Sequence, residues 1–222
     1  MKTIVTLSQK GGAGKTALTT NLSVVAQQAG YVVGAIDVDP QQSSAEWGDL
    51  REEPPGVISG QAGRLQKLLA TAEQAAADIV LVDTPPGKNE LHLAMARAAD
   101  LIIVPCRPSP VDVKAVLATI DIATMANKMA TVIFNGATAT SPYLVEQARD
   151  ALRSWGVSSA PVVVHQRVAF VTSFGRSRSV VEDEPQSKAA DEIRQLFAWI
   201  GQQVDLKAGK PARRAAGQPV NA

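Results

Sequence analysis

An apolar, β-branched run from Lys2 to Leu7 gives way, after a glycine-rich stretch, to helical spacing, with Leu18, Leu22, Val25 and Ala26 on one stripe. The same change of period recurs along the chain. Short apolar runs at Val32–Asp37, Ile79–Asp83, Leu101–Cys106, Thr131–Asn135 and Val162–His165 predict further strands. Between and after them, Ala45–Leu50, Arg64–Ala77, Leu91–Ala98, Val113–Met125, Tyr143–Trp155 and Lys188–Val204 predict helices. This alternation implies an α/β fold, a mostly parallel sheet flanked by helices. Composition does not break until the last sixteen or so residues, so residues 1–205 are expected to form one domain. The closing stretch KAGKPARRAAGQPVNA has four basic residues, no acidic one and no apolar period, and 206–222 is expected to be a basic, disordered tail.

The glycine-rich stretch carries the first chemistry. "LSQKGGAGKTALTT" has Gln9 where the common phosphate-loop pattern G-x-x-x-x-G-K-S/T has its first glycine, but the remainder fits between a strand and a helix. Gly11, Gly12 and Gly14, with Ala13 among them, let backbone N–H groups and the helix start at Thr16 and Ala17 face phosphate oxygens. Lys15 would reach the β- and γ-phosphates, and the Thr16 hydroxyl would ligate Mg²⁺. Lys10 is surplus to that pattern.

In an open parallel sheet, ligands sit beyond the carboxyl ends of the strands, so the polar residues that close apolar runs matter most. "VVGAIDVDPQ" closes in Asp37 and Asp39, "ADIVLVDTPPG" in Asp83, and "TVIFNG" in Asn135. Asp83 suits an aspartate that holds Mg²⁺ through water. Asp37 and Asp39 point the same way if their strand continues; one would contact the metal's water and the other orient the attacking water. A guanine pocket would need N-K-x-D after a strand. The chain has Asn127–Lys128–Met129–Ala130 before one, so adenine, hence ATP, is the expected base.

Bulk composition narrows the partners. Of 222 residues 45% are hydrophobic, enough for a sizeable core, and 22 basic against 21 acidic residues leave a net charge of +1. Any nucleic-acid contact must therefore come from local arrangement. One cysteine, Cys106, excludes a disulfide framework or a cysteine-built cluster within the chain, and a cytoplasmic location is expected. No apolar run approaches the roughly 18 residues of a membrane span and no signal segment precedes the first strand, so no membrane partner is expected.

Together, "QKGGAGKT", "IDVDPQ" and "LVDTPP" resemble the deviant P-loop ATPases of the ParA/MinD superfamily, whose signature is K-G-G-x-G-K-S/T. "SFGRSRSVVEDEPQSKAADEIRQLFAWI" resembles the closing segment of the partition ATPases, and the likeness covers about residues 1 to 204. The resemblance implies a homodimer that sandwiches two nucleotides, with Lys10 acting in trans on the partner's phosphates. It also implies that Asp39 activates water, and that Asn135 with His165, Gln166 and Arg167 forms the base pocket, although His165 stands where the family has proline. No helix-turn-helix region precedes the first strand, as in the short partition ATPases.

The resembling function is DNA partition, for a plasmid or chromosome: ATP-driven dimerisation, non-specific DNA binding, nucleoid association, and hydrolysis stimulated by a ParB-like or other centromere-binding adaptor. The runner-up is a positioning ATPase of the same family with another cargo, such as a chemotaxis cluster or carboxysome; a P-loop ligase such as a dethiobiotin synthetase ranks lower, having no need of Lys10. The nitrogenase iron protein needs two cluster cysteines. A MinD-type amphipathic tail is not supported by Leu206 and Val220 alone, nor a tyrosine-autokinase tail by Tyr31 and Tyr143. For DNA, Arg167, Arg176 and Arg178 fall in a stretch from His165 to Ser179 without an acidic residue, and the tail adds Lys207, Lys210, Arg213 and Arg214.

Overall fold

In the computed structural model, which describes residues 1–87 and 90–207, seven parallel strands form one sheet in the order β3-β2-β4-β1-β5-β6-β7. These are β1 (Lys2–Thr6), β2 (Val33–Asp37), β3 (Val57–Ser59), β4 (Ile79–Asp83), β5 (Leu101–Cys106), β6 (Ala130–Ala137) and β7 (Ser159–His165). Successive apolar residues suit a sheet covered on both faces. In β1 and β4, Ile4, Ile79 and Leu81 pack to one side while Val5, Val80 and Val82 pack to the other.

The first side is covered by α1 (Lys15–Gln28), α2 (Ser43–Asp49), α7 (Val168–Gly175), α8 (Val180–Asp183) and α9 (Lys188–Gln203). Ile193, Leu196 and Ile200 of α9 form its buried stripe against Leu18 and Leu22 of α1. The second side is covered by α3 (Leu65–Gln74), α4 (Glu90–Ala98), α5 (Pro110–Met125) and α6 (Pro142–Ser154), which contribute Leu69, Met95, Val116 and Leu152. Connections from β1 lead towards β2, and those from β4 lead across β1 towards β5, so the chain changes direction at β1 and β4. A crevice beyond the carboxyl ends of these two strands follows from that topology.

The expected α/β fold, a mostly parallel sheet flanked by helices, is the fold found, with every described strand pairing parallel. The elements not foreseen include β3, α7 and α8. Of the tail residues singled out for DNA, Lys207 is exposed, whereas Lys210, Arg213 and Arg214 lie outside the described residues.

Candidate nucleotide-binding site

Between β1 and α1 the loop Leu7–Gly14 is held by ties from three other strand ends. The Gly87 amide, after β4, donates to the Gln9 carbonyl at 3.0 Å. Arg107, just past β5, donates through Nη2 to the Gly12 carbonyl at 3.1 Å, and Asn135 of β6 donates through Nδ2 to the Ala13 carbonyl at 2.9 Å. In a trans peptide the N–H points opposite to the C=O. Pinning the Gly12 and Ala13 carbonyls therefore turns the Ala13 and Gly14 N–H groups away from those partners.

Glycine at position 14 is required twice over. Its φ is +98°, and a Cβ would lie 1.9 Å from Asn135 Nδ2. Gly12, at φ +69°, instead faces open space, as Gly11 does, which leaves room for an anion against the backbone. Gly14 caps α1 without a side chain, and the first turn of α1 carries no acidic residue, so its N–H groups are available to a ligand.

Lys15 is nearly buried, and burial lowers its pKa against the opposing pull of Asp83 and Asp39. Thr16 Oγ1 donates to Asp83 Oδ2 at 2.7 Å, and the Ser44 hydroxyl donates to the same oxygen at 2.6 Å. Asp83 Oδ1 is buried and has no hydrogen-bond partner among the described residues. Burial, with the nearby Asp37 charge, pushes the Asp83 carboxyl up to about 6, against the bonds from Ser44 and Thr16 and the charge of Lys15. An orphaned carboxylate oxygen beside a threonine hydroxyl and a phosphate cradle fits Mg²⁺, which prefers one or two protein oxygens plus substrate phosphates.

Asp37 and Asp39 part company. Their expected shared direction required β2 to continue, but β2 ends at Asp37. Asp37 is fully buried; its Oδ1 accepts the Asp39 amide at 2.9 Å, and its Oδ2 accepts the Ser44 and Ala45 amides at 2.9 and 3.0 Å. It anchors the start of α2. Asp39 is partly exposed, and its Oδ1 accepts only the Gln41 amide, at 3.0 Å.

Lys10 lies on the exposed rim of the loop and is ion-paired with Asp112. At the far side, the Gln166 amide donates to the Ala137 carbonyl at 2.9 Å, which brings the loop after β7 beside the end of β6. Glu192 of α9 accepts from the His165 amide at 3.0 Å and pairs with His165 Nδ1 at 2.8 Å and Arg167 Nη2 at 2.5 Å. Burial opposes ionisation of Glu192, but Arg167 and the His165 bonds hold it below its usual range.

The expected uncompensated basic patch needs correction. Asp183 sits 2.9 Å from Arg176 and 3.5 Å from Arg178, and Glu192 neutralises Arg167. The acid-free stretch ends at Ser179, and Asp183 of α8, four residues beyond it, and Glu192 of α9 pack their carboxylates back onto these arginines. Four residues of the site escaped sequence reasoning: Ser44, Arg107, Asp112 and Glu192. Only Asp112 left a signal, the S-x-x-D spacing from Ser109 that marks a helix start.

The Asp83 environment has a measurable consequence. Between the ordinary carboxylate pKa of about 4 and its folded value of about 6, the folded state keeps a proton that the unfolded chain has released. Stability therefore falls as pH rises through that window and levels off above it, at a cost on the order of 3 kcal/mol. Asp112, Glu182 and Glu192, all held low, act in the opposite sense and below it. Without nucleotide, Asp83→Asn is expected to melt several degrees above wild type at pH 7, and the advantage should shrink to about half near pH 5 and vanish below about pH 4. Calorimetry across pH 4–7 reads this; a pH-independent difference would refute it.

A glycine-rich loop between a parallel strand and a helix, with a buried lysine, a threonine and an orphaned aspartate, defines a P-loop nucleotide-binding domain. The sequence profile of the CobQ/CobB/MinD/ParA nucleotide binding domain matches residues 4–180, and the chain belongs to that family of P-loop ATPases. The maintenance of carboxysome distribution protein A of Halothiobacillus neapolitanus is 28% identical over 207 residues, covering 88% of this chain and 94% of that protein. Protein ParA of Rhizobium radiobacter is also 28% identical, over 114 residues, about half of each chain. Among solved structures, the MinC:MinD cell division protein complex of Aquifex aeolicus superposes with a TM-score of 0.76 at 18% identity, covering 96% of this chain and 99% of that one. An McdA–ATP complex from Cyanothece gives 0.70 at 17%, covering 93% and 97%. At these identities the structures establish the shared fold. Among the described residues no helix is long and apolar enough to cross a membrane.

Proposed function

We propose that this chain is a positioning ATPase that dimerises around ATP, holds a non-specific DNA surface in that state, and releases it on hydrolysis. The reading is carried by the orphaned Asp83 oxygen beside Thr16 and Lys15, on a loop that also bears the surplus Lys10. Lys15 and the loop amides bind the β- and γ-phosphates. Thr16 directly and Asp83 through water would hold Mg²⁺, which supplies charge neutralisation on the phosphates. Asp39, with a carboxylate oxygen uncommitted to the fold, orients and deprotonates the attacking water, while Asp37 keeps the segment in place. Lys10 reaches the partner's phosphates, and Asn135 with the His165–Arg167 loop borders the base.

Two cargo readings remain distinct. A non-DNA assembly of the carboxysome kind is favoured by a relative that matches almost end to end. Plasmid or chromosome DNA, with a ParB-like adaptor, is favoured by the ParA match and by Escherichia coli IncC, 23% identical over 93% of this chain. Capture of the ATP-locked protein's adaptor from its native cell separates them.

DNA affinity should depend on nucleotide and on salt. With Arg176 and Arg178 sharing Asp183, the described surface contributes little net charge, and the tail with Lys207 carries more. Log affinity with ATP is expected to fall against log salt at roughly 0.9 per phosphate neutralised, and truncation after Val204 should flatten that slope more than Arg176→Ala/Arg178→Ala. Equal affinity with ATP and ADP would remove the dimer switch. No binding at low salt would leave only a partner-directed role.

A further inference from the structure

Lys10 stands at the open rim of the phosphate loop, yet its ammonium is engaged within its own chain. Its partner, Asp112, is 102 positions away in sequence and lies in the first turn of α5. Ser109, the N-cap of α5, accepts from the Asp112 amide at 3.2 Å, and its hydroxyl is bonded in turn to the second carboxylate oxygen. The carboxylate is thus fixed by its own helix start. Its side chain is 11% exposed against 43% for Lys10, so the mobile member of the pair is the lysine. Burial opposes the charge on Asp112, but the bonds from Lys10 and Ser109 and the charges of Lys10 and Arg107 outweigh it, leaving the carboxyl below its usual range. Arg107, another cation on this rim, is tied to the Gly12 carbonyl.

We propose that Asp112 is a positioning residue that latches Lys10 to its own chain, and that each chain must release this ion pair before Lys10 can serve the ATP of a second copy. The inference rests on the trans role of Lys10 proposed above. A lysine carries one point charge on a flexible stem, so it cannot satisfy Asp112 and a distant phosphate together. Without ATP in the second chain, leaving Asp112 breaks a charge-assisted bond and gains only water. With ATP there, several phosphate oxygens compete with one carboxylate. The latch thereby suppresses pairing of empty chains and sets how readily loaded ones pair.

The effect enters twice in a symmetric dimer. A partly exposed ion pair corresponds to about a fivefold cost per chain, so its loss should tighten dimerisation about 25-fold. Asp112→Asn keeps the shape at the helix start and removes the charge, whereas Asp112→Glu keeps the charge.

Two measurements on the full chain test this. The first is amine labelling of Lys10, followed by peptide mass without nucleotide. Labelling should be about fivefold faster in Asp112→Asn and close to wild type in Asp112→Glu; equal rates in wild type and Asp112→Asn would overturn the latch. The second is sedimentation with a non-hydrolysable ATP analogue. Asp112→Asn should dimerise at roughly 25-fold lower concentration, with monomer affinity for the analogue unchanged and the gain abolished by adding Lys10→Ala. Unchanged or weaker dimerisation would overturn the proposal even if labelling had changed. If neither wild type nor variant dimerises, the sandwich reading itself fails, and the labelling ratio shows that the cause is not a missing ion pair.

Discussion

Lys15→Ala is expected to reduce ATP binding below detection in calorimetry. Lys15 is the ammonium that its own chain aims into the cradle, and burial has already stripped much of its water, as its lowered pKa shows. It has therefore little to lose by binding phosphate. Charge-assisted bonds contribute roughly 1.5–3 kcal/mol each, so removing contacts to two phosphates should weaken binding at least a hundredfold. The substitution also leaves Asp83 and Asp39 without their nearest countercharge, which repels an incoming polyphosphate further. The backbone cradle persists, since its ties come from Gly87, Arg107 and Asn135. Unchanged affinity in the variant would refute the phosphate-loop reading.

Asp39→Ala is expected to bind ATP and dimerise normally but to turn over 10²–10⁴-fold more slowly, the usual contribution of a positioned general base. Among the described residues its carboxylate accepts one hydrogen bond, from the Gln41 amide, so truncation leaves Lys15, Thr16 and Asp83 in place. Sedimentation with ATP should show a dimer that outlasts wild type by a similar factor. A monomer, or a dimer turning over at the wild-type rate, would move the role elsewhere. Asp37 is unsuitable as a comparison, because its loss would leave the amides of Asp39, Ser44 and Ala45 without their acceptor.

What the sequence disclosed, and what it concealed, divides by range. The phosphate loop was legible because its chemistry is local: glycines at fixed offsets, a lysine, a threonine, a strand before and a helix after. Six strands were legible because both faces of the sheet are covered, which makes each run continuously apolar. β3 was not, being three residues long at the sheet edge with Ile58 exposed. α7 escaped because Val168 and Val171 are exposed apolar residues that blur its stripe, and α8 because it is a single turn.

The site's concealed members come from afar. Ser44 meets Asp83 across 39 positions, Glu192 meets His165 across 27, and Asp112 meets Lys10 across 102. No periodicity encodes such pairings. The charge reading failed at short range instead: the acid-free stretch stops at Ser179, and Asp183, five residues after Arg178, packs back onto Arg176 and Arg178.

The three ties on the phosphate loop also bear on how the protein is made. Residues 7–14 leave the ribosome well before the groups that shape their backbone, Gly87, Arg107 and Asn135. A nascent chain lacking β6 has the glycines but not the Asn135 tie that pins the Ala13 carbonyl. The cradle is completed only when β6 and its Asn135 have emerged, so nucleotide can act as a seal on the finished sheet and not as a template for its early strands.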